Sequence, residues 1–422
     1  MQRTDNYYQA TRNQSMALLS LDGSVSTDVS VIGGGLTGVS AALNLAERGY
    51  TVTLLEAREI GWGASGRNGG QIVPGLAVDL PVLEKLVGLS TAQTLWNFSL
   101  EAIATIRQRV EHHKIQCDLH WGYLHAAIKD RQVKELEHWQ HAREQMDYPA
   151  TQLLRGEALR AAIDSPRYRA ALFDPEGGQL HPLNYTLGLA QAAIDAGANL
   201  YAHSPVKKIN PGRRIHIQTD KGQVESDFLL VCGNAYLGNL LPDISAYVMP
   251  VGTYIAATEI LGERRAHALI PSLAAVADLN FVLDYFRMSE DHRLLFGGRV
   301  SYSTLPPPRI KEAMLRRMRQ VFPQLSGIQA DYAWGGNVAI TRNRVPHFGR
   351  ISDNIFFAQG FSGHGVALTG WAGKLMAEII AKQSTDFDVF ARIPHHKFPG
   401  GPWFRTPTLL LATTAFRLMD LL

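Results

Sequence analysis

Three glycines near the amino terminus have the spacing found in loops that bind the pyrophosphate of a dinucleotide. Gly33, Gly35 and Gly38 follow the apolar segment 29–32 and open a stretch whose apolar residues have helical spacing. In such loops the first glycine makes a tight turn, the second lets the backbone approach the pyrophosphate, and the third lets helix and strand pack closely. The helix N-terminus, with its free N–H groups, then binds the anion.

An acidic residue completes this dinucleotide-binding pattern. A second strand is predicted over 51–55, and it ends at Glu56, whose carboxylate can accept hydrogen bonds from ribose hydroxyls and would repel a 2′-phosphate. A glycine-rich turn alone is weak evidence, because many loops need glycine for geometric reasons. Here the strand, helix, second strand and acid all agree. The unit itself leaves open whether the dinucleotide is FAD or NAD.

A second glycine-rich loop lies far downstream, at residues 359–365. It follows a predicted strand, 355–358, and precedes a helix with Leu368, Trp371 and Leu375 on one face. Reduction of a flavin places negative charge on the N1 and C2=O edge of its ring system, and a helix N-terminus stabilises an anion there. An NAD enzyme has little need for this second site. The sequence therefore favours FAD.

The composition is that of a globular protein with a large core. The 422 residues are 46% hydrophobic and 19% charged, which predicts two domains. The net charge of +3 and the absence of a long basic block argue against nucleic acid as a partner. Cys117 and Cys232 have neither disulfide nor metal-ligand spacing, so no metal site is expected. Without a secretion signal in 1–27 or an apolar run long enough to span a membrane, we expect a cytoplasmic protein.

Several further elements follow from periodicity. The run 228–232 ends at Gly233, as expected for a parallel strand buried on both faces. The remaining predictions are a glycine-rich loop (60–74), a mostly helical layer (82–146), helices at 183–196 and 309–322, strands at 199–206 and 215–219, and an antiparallel hairpin formed by 281–288 and 294–302. The apolar pattern of segment 406–422 predicts a helix docked on the protein surface, with a membrane-surface helix as the alternative.

Four motifs occur in a fixed order along the chain: VIGGGLTG with Glu56, then GASGRNGGQ, then LLVCGNAY, then WGG followed by VPHFGR and QGFSGHG. Through them the sequence resembles the D-amino-acid oxidase (DAO) superfamily of FAD-dependent amine oxidoreductases. The resemblance implies a mixed α/β and α+β fold, with a Rossmann-like FAD-binding domain of glutathione-reductase type and an antiparallel-sheet substrate domain. It divides the chain into FAD-binding parts (1–80, 151–245 and 326–395), a helical insert (81–150), a substrate-domain sheet (246–325) and a tail helix (396–422).

Four longer segments indicate a subgroup: SGRNGGQ, DYFRMSEDHRLLFGGRVSY, SGHGV and PGGPWFRTP. They resemble the bacterial gamma-glutamylputrescine oxidoreductases, and oxidases of opines and iminodiacetates have similar motifs. The implied reaction is oxidation of a primary or secondary amine, best matched by gamma-glutamylputrescine or a related polyamine derivative. Hydride passes to flavin N5, the imine hydrolyses to an aldehyde, and O2 reoxidises the flavin to give H2O2. The alternative is a dehydrogenase that passes electrons to a quinone or another acceptor.

The resemblance also implies which residues contact FAD. Those at the pyrophosphate and ribose are Gly33, Gly35, Leu36, Thr37, Gly38, Glu56, Ala57 and Arg58; those of the next loop are Ser65, Arg67, Asn68, Gly69, Gly70 and Gln71; further contacts are Val206, Gly233, Gly335, Gly360, Ser362, Gly363, His364 and Gly365. The cysteine or histidine that tethers flavin in some relatives has no counterpart, so FAD is expected to be non-covalent. Val366 and Ala367 replace a carboxylate-binding lysine of some relatives, which favours a longer amine over a simple amino acid.

The candidate catalytic residues are His364, Arg299, Trp334 and Tyr285. Hydride loss requires a neutral amine, and an apolar, aromatic pocket favours that form. We expect the pocket among Trp62, Tyr254, Tyr285, Trp334 and Phe361. Arg299 and Arg342 are candidate anchors for a distant carboxylate, or ordinary surface arginines. For His364 a structural role stands beside a chemical one. The expected partners are a small amine and O2, and the sequence leaves the oligomeric state open.

Overall fold

The computed structural model of the protein describes residues 6–298 and 309–399. Its strands in chain order are β1 (Gly23–Ile32), β2 (Val52–Leu55), β3 (Gln71–Ile72), β4 (His120–Ala127), β5 (Gln152–Leu154), β6 (Ala170–Gln179), β7 (Asn199–Tyr201), β8 (Lys208–Asn210), β9 (Ile215–Gln218), β10 (Gly222–Val231), β11 (Met249–Thr258), β12 (Ala275–Asp278), β13 (Asp284–Met288), β14 (Leu294–Gly298), β15 (Ala330–Ile340), β16 (His347–Ser352) and β17 (Ile355–Gln359).

The helices connect and cover these strands. In chain order they are α1 (Tyr7–Ala10), α2 (Leu36–Ala46), α3 (Leu80–Val87), α4 (Leu89–His112), α5 (Asp130–Glu144), α6 (Gly156–Ala162), α7 (Pro182–Asp195), α8 (Pro242–Ser245), α9 (Glu263–Leu269), α10 (Ile310–Val321), α11 (Gly365–Ile380) and α12 (Asp386–Ala391). Within the two described stretches of chain, no helix is both long and apolar enough to cross a bilayer.

An eight-stranded sheet carries both predicted glycine loops. Its main strand order is β16-β17-β10-β1-β2-β7, and β8 and β9 extend it from β10. The pairs β10–β1, β1–β2, β2–β7 and β10–β17 are parallel, so these strands end at the same edge of the sheet. β10 confirms the predicted buried parallel strand. This is the doubly wound, Rossmann-like half of the fold.

A nine-stranded sheet forms the second half, in the order β15-β11-β14-β13-β12-β4-β6-β3, with β5 paired to β6. It is antiparallel except for the parallel pair β12–β4. One face packs on α6, α9 and α10 through residues that include Leu124, Phe286 and Phe296. Because successive side chains alternate between faces, the neighbouring residues His125 and Tyr285 project from the opposite face, toward the first sheet.

The mostly helical layer predicted over 82–146 contains α3, α4 and α5, and also a strand that was not predicted. Strand β4 interrupts it between α4 and α5, and residues 120–127 pair with both β6 and β12. The alternating sequence HWGYLHAA has the period of a strand, and its partners lie far away in the chain. The predicted strand over 199–206 is also too long, since β7 ends at Tyr201.

Sheet membership crosses the expected domain boundaries. Strands β5, β6 and β15 belong to the second sheet although they lie within 151–245 and 326–395, ranges assigned above to FAD binding. The predicted hairpin is confirmed for β13 and β14, which pair antiparallel. The predicted helix over 309–322 is confirmed as α10. The expected tail helix lies outside the described residues.

The amino-terminal segment packs into the interior. Tyr7 and Tyr8 of α1 are buried, and the ring of Tyr8 meets Trp334 of β15 edge-on at a centroid distance of 5.2 Å. The Tyr7 hydroxyl donates a 2.6 Å hydrogen bond to Asp291 in the β13–β14 turn. Asn6 donates to Gly66 O at 3.4 Å. The segment therefore supports both the glycine-rich loop and the second sheet.

Candidate functional site

The two glycine loops meet at one edge of the first sheet. One follows β1 and the other follows β17, and β10 lies between these strands. Gly33 has φ +109°, and a Cβ there would lie 2.8 Å from Cys232 O. A Cβ on Gly38 would lie 1.9 Å from Gly33 O. Both positions therefore require glycine, as expected where a turn passes tightly into a helix.

The two helices that follow these loops pack directly against each other. Ser40 of α2 donates a 2.6 Å hydrogen bond to Gly370 O of α11. A Cβ on Gly373 would lie 2.4 Å from Thr37 O, so the backbones are in close contact. Both helix N-termini consequently face the same edge of the sheet. Two positive dipole ends at one crevice fit the diphosphate and the reducible ring edge of FAD.

Glu56 lies at the end of β2, where an acid was predicted to bind ribose. Its Oε2 accepts a 2.6 Å hydrogen bond from Gly34 N, and its Oε1 accepts one from Arg58 N at 2.8 Å. Glu56 O in turn accepts from Ser204 N at 2.8 Å. Val206, one of the predicted FAD contacts, packs against the cluster that includes Leu55. The carboxylate is thus held rigidly beside the first glycine loop.

The loop predicted at 60–74 touches the start of α2. Ser65 Oγ accepts a 2.9 Å hydrogen bond from Leu36 N, a donor in the first turn of the helix. The Asn68 amide donates to Ala64 O and Ser65 O, and its oxygen accepts from Gly70 N at 2.7 Å. Asn68 therefore shapes the loop, and Ser65 joins the loop to the helix N-terminus.

Arg67 connects the same loop to the second sheet. Its Nε donates to Trp62 O at 2.7 Å, and its Nη1 donates to Gly335 O of β15 at 3.3 Å. The guanidinium also lies over the Trp62 ring, 5.2 Å from the centroid. Arg67 O accepts a 3.0 Å hydrogen bond from Trp334 Nε1. In this structure both predicted residues, Arg67 and Trp334, hold the loop in place.

Arg287 is a loop contact that the sequence analysis missed. This buried side chain of β13 donates to Gly69 O at 2.8 Å and to the Tyr8 hydroxyl at 3.2 Å. Gln71, predicted as a cofactor contact, donates from its side-chain amide to Val276 O of β12 at 2.9 Å. These contacts join β3 and the loop before it to the second sheet. Only the register of β13 identifies Arg287 as an inward-facing residue.

At the start of α11, His364 presents a ring nitrogen without a partner. Its Nδ1 is buried and forms no hydrogen bond with the described residues. Burial, and to a smaller extent the cations Arg344 and Arg143, lower the pKa of His364 to about 4. The preceding Gly363 has φ +103°, is exposed and has open space around its Cβ position. The start of α11 thus places a buried, unpartnered imidazole nitrogen and the first N–H groups of the helix beside the open space at Gly363.

Tyr285 lies on the inward face of the second sheet. A Cβ on Gly69 would be 2.7 Å from its ring, and one on Gly297 would be 2.1 Å away. The two glycines thus make the space that the ring occupies. Burial raises the pKa of its hydroxyl, so Tyr285 remains a neutral phenol.

His125 and Arg143 form a polar cluster on this face that the sequence analysis also missed. Arg143 donates to Asp174 Oδ2 at 3.0 Å and to His125 Nε2 at 3.3 Å. Since a guanidinium can only donate, Nε2 must be unprotonated. Burial and the adjacent Arg143 lower the pKa of His125 well below its ordinary value. Asp174 also accepts a 2.6 Å hydrogen bond from the Tyr148 hydroxyl.

The predicted aromatic pocket is only partly correct. Phe361 is buried in the core, 5.9 Å from Phe348. Tyr254 pairs with Gly298 and Gly335, one position out of phase with Trp334, so it faces the α10 side. Trp62 packs edge-on against Tyr236 at 5.6 Å. Tyr285 and Trp334 project from the inward face, next to Gly69 and Arg67 of the loop at 60–74.

The structure describes only one of the two arginines predicted as carboxylate anchors. Arg299 lies outside the described residues. Arg342 is exposed in the turn between β15 and β16. Two positions later, Arg344 is half-buried and close enough to lower the pKa of His364. Both residues are arginines, so the difference in their burial comes from the geometry of the turn.

Sequence comparison relates the chain to known oxidoreductases. A family model described as "DAO: FAD dependent oxidoreductase" matches residues 28–379. The chain is 41% identical over 420 residues to "Gamma-glutamylputrescine oxidoreductase" of Escherichia coli (strain K12), which covers 99% of each protein. It is 38% identical over 422 residues to "Probable oxidoreductase OrdL" of Haemophilus influenzae, which covers 98% of this chain and 97% of that protein.

Solved structures share the fold at lower sequence identity. Glycine oxidase from Geobacillus kaustophilus superimposes with a TM-score of 0.73 at 21% identity, covering 89% of this chain and all of that one. L-Proline dehydrogenase from P. horikoshii gives a TM-score of 0.72 at 22% identity, covering 87% and 96%. These likenesses confirm the two-sheet architecture predicted for the chain.

Proposed function

The chain belongs to the DAO family of FAD-dependent oxidoreductases, and from this premise we propose that it oxidises gamma-glutamylputrescine or a related polyamine derivative with non-covalently held FAD. The substrate class is supported by the 41% identity to the Escherichia coli enzyme over almost the full length of both chains. The observation that carries the proposal is the meeting of two glycine-loop helices at one sheet edge, opposite an inward-facing tyrosine and histidine.

The residues that would hold FAD lie in the order of its parts. Gly33 to Gly38 and the start of α2 would take the diphosphate, and Glu56 would take the adenosine ribose. His364 and the first N–H groups of α11 would take the pyrimidine edge. When bound there, FAD would accept a hydride from the carbon next to the substrate nitrogen. The residues of the chain must then bind and orient the amine and keep it neutral.

The inward face of the second sheet suits a neutral amine. Tyr285 and His125 are both held uncharged by burial, and Arg143 is neutralised by Asp174. A desolvated site of this kind, without a net charge to stabilise an ammonium, favours the neutral amine. The substrate nitrogen therefore reaches the reacting position as the free base, with the lone pair that hydride loss requires.

Anaerobic titration of the yellow protein tests this function. We expect gamma-glutamylputrescine to bleach the flavin absorbance near 450 nm, in the ordinary range of flavins, far faster than putrescine, spermidine or sarcosine does. Readmission of air with H2O2 formation supports an oxidase, whereas bleached flavin that reoxidises only with a quinone supports the dehydrogenase alternative. A colourless protein, or flavin that no amine of the panel bleaches, would overturn the proposal. Release of all flavin by acid precipitation is expected for non-covalent FAD.

A further inference from the structure

Arg344 is a partly buried cation without an acidic partner in the described stretches of the chain. Burial lowers its pKa, and no carboxylate of residues 6–298 or 309–399 opposes that effect. Its guanidinium lies over the ring of Phe281, 5.0 Å from the centroid, in the loop between β12 and β13. A guanidinium that is removed from water without a counter-ion costs free energy. An anionic ligand would remove this cost.

The turn that carries Arg344 holds it in a strained conformation. Arg344 has φ +64°, in the left-handed region that residues with a Cβ rarely adopt. Thr341 Oγ1 donates to Val345 O at 2.8 Å, and Val345 N donates to Asn343 Oδ1 at 3.2 Å. Asn343 also donates to Pro394 O at 2.8 Å. Strain that neighbouring bonds enforce in this way is frequent at ligand sites.

The turn that carries Arg344 contacts the loop that leads to His364, since Thr341 N donates to Ser362 Oγ at 3.2 Å, and this contact indicates which site Arg344 serves. Its charge lowers the pKa of that histidine, whose Nδ1 has no hydrogen-bond partner among the described residues. Arg143 is the other cation that acts on His364, and it already pairs with Asp174 at 3.0 Å. Of these two guanidiniums, only Arg143 has an acidic partner among the described residues, so Arg344 is the candidate to pair with a ligand.

We propose that Arg344 determines substrate specificity by binding a carboxylate at the end of the substrate remote from the oxidised carbon, with His364 lining the same recess. The inference rests on the proposed function and narrows its substrate class to amines that carry a distant carboxylate. A guanidinium fork matches both oxygens of a carboxylate. The gamma-glutamyl group supplies an alpha-carboxylate, and free polyamines have none, so this contact would select the glutamylated amine.

Steady-state kinetics with a substrate pair tests the role of Arg344. The two substrates are gamma-glutamylputrescine and 4-aminobutanoylputrescine, which lacks only the alpha-carboxylate. We expect the unmodified enzyme to prefer the carboxylated amine by about tenfold or more in kcat/KM, the scale of one charge-assisted contact. Arg344→Met should abolish this preference through a higher KM for the carboxylated amine with kcat kept, and Arg344→Lys should restore part of it.

Arg342→Met is the matched control, because it removes an exposed arginine of the same turn. It should leave the preference unchanged. An unchanged preference in Arg344→Met would overturn the proposal. So would a loss in Arg342→Met equal to that in Arg344→Met. The flavin-to-protein ratio and the unfolding temperature of each variant show whether the fold is intact, and Arg344→Lys provides the test if Arg344→Met fails to fold.

A binding experiment separates this inference from the proposed function. Glutarate, an unreactive dicarboxylate, is titrated into the flavin-loaded enzyme while the visible flavin spectrum is followed. We expect saturable perturbation, with Kd raised about tenfold in Arg344→Met and unchanged in Arg342→Met. If glutarate binding depends on Arg344 but the enzyme oxidises none of the polyamines, the proposed function is refuted and the carboxylate site is not. The absence of glutarate binding, or equal binding by Arg344→Met, would refute the carboxylate site.

Discussion

Glu56 uses both carboxylate oxygens to accept backbone hydrogen bonds, from Gly34 N and Arg58 N. Each oxygen keeps a further lone pair, so the side chain can accept from ribose hydroxyls without releasing these contacts. The carboxylate therefore has two tasks at the residue scale. It holds the first glycine loop against the end of β2, and it marks where the sugar of the dinucleotide would lie.

Glu56→Gln should weaken FAD binding by about tenfold, the equivalent of about 1.4 kcal/mol. The amide has a single acceptor oxygen, so its NH2 group would face one of the two backbone N–H donors that the carboxylate now accepts. The Kd is measured by equilibrium dialysis against FAD. Glu59→Gln, at an exposed acid three positions later, is the control and should bind FAD normally. Equal affinities in all three proteins would contradict this role of Glu56.

At the scale of elements, the contact between α2 and α11 fixes the direction of both helix N-termini. Glycine at 373 lets the helices approach, and the Ser40 hydroxyl bonds to the backbone at Gly370. The two positions differ in the space around them. A Cβ at Gly373 would lie 2.4 Å from Thr37 O and 2.6 Å from Ala41 N, whereas the nearest atom to a Cβ at Gly370 is the Tyr185 hydroxyl oxygen at 3.8 Å.

Gly373→Ala should destabilise the protein by about 1–3 kcal/mol, because the backbone of α2 must move to admit the methyl group. It should also lower FAD affinity, since the first turn of α2 would shift away from the diphosphate position. Gly370→Ala is the matched control in the same helix and should be neutral or stabilising, as alanine favours helix over glycine. Urea unfolding and FAD titration measure both effects. A Gly373→Ala protein as stable as Gly370→Ala would refute the close contact.

At the scale of the whole molecule, His181 joins parts of the chain that lie far apart. It precedes α7, and its Nδ1 accepts the capping hydrogen bond from Asn184 N at 3.1 Å. Its Nε2 lies 3.1 Å from Thr11 Oγ1, which donates its own proton to Tyr7 O. Nε2 must therefore donate, and the imidazole must be neutral. Burial and Arg287 lower its pKa to about 3.

This depressed pKa predicts a loss of stability in acid. The unfolded chain binds a proton near pH 6.5 and the native imidazole only near pH 3, so the free energy of unfolding is unaffected above pH 6.5 and falls as the pH drops below it. At pH 5 this effect of His181 lowers the free energy of unfolding by about 2 kcal/mol. Urea unfolding at pH 7 and pH 5 measures it. His181→Asn keeps an acceptor at the cap without the titration and should reduce the pH dependence.

His141→Asn serves as the control for this measurement, because His141 is exposed on α5. It should keep the full pH dependence of the unmodified protein. If His181→Asn and His141→Asn lose stability equally between pH 7 and pH 5, the acid sensitivity has another origin.

Local sequence determined the two glycine loops, the strands before them and the helices after them. Gly33 and Gly38 could be identified because a tight turn and a close backbone contact exclude every larger residue, and this constraint acts within a few positions of the chain. Glu56 could be placed because it directly follows a strand with a recognisable apolar pattern. The hairpin of β13 and β14 was predictable for the same reason, since its strands are joined by a short polar turn.

Only the tertiary structure decided which residues face the crevice. His125 lies on a strand whose pairing partners, β6 and β12, are distant in sequence, so its register and face could not be inferred locally. Arg344 is more buried than Arg342 because three side-chain hydrogen bonds hold the turn in which Arg344 is left-handed. Two of these bonds join residues of the turn itself, and the third joins Asn343 to the distant Pro394. The sequence thus determined which loops would bind a dinucleotide. Long-range pairing, whose partners local periodicity does not encode, decided which residues would surround a substrate.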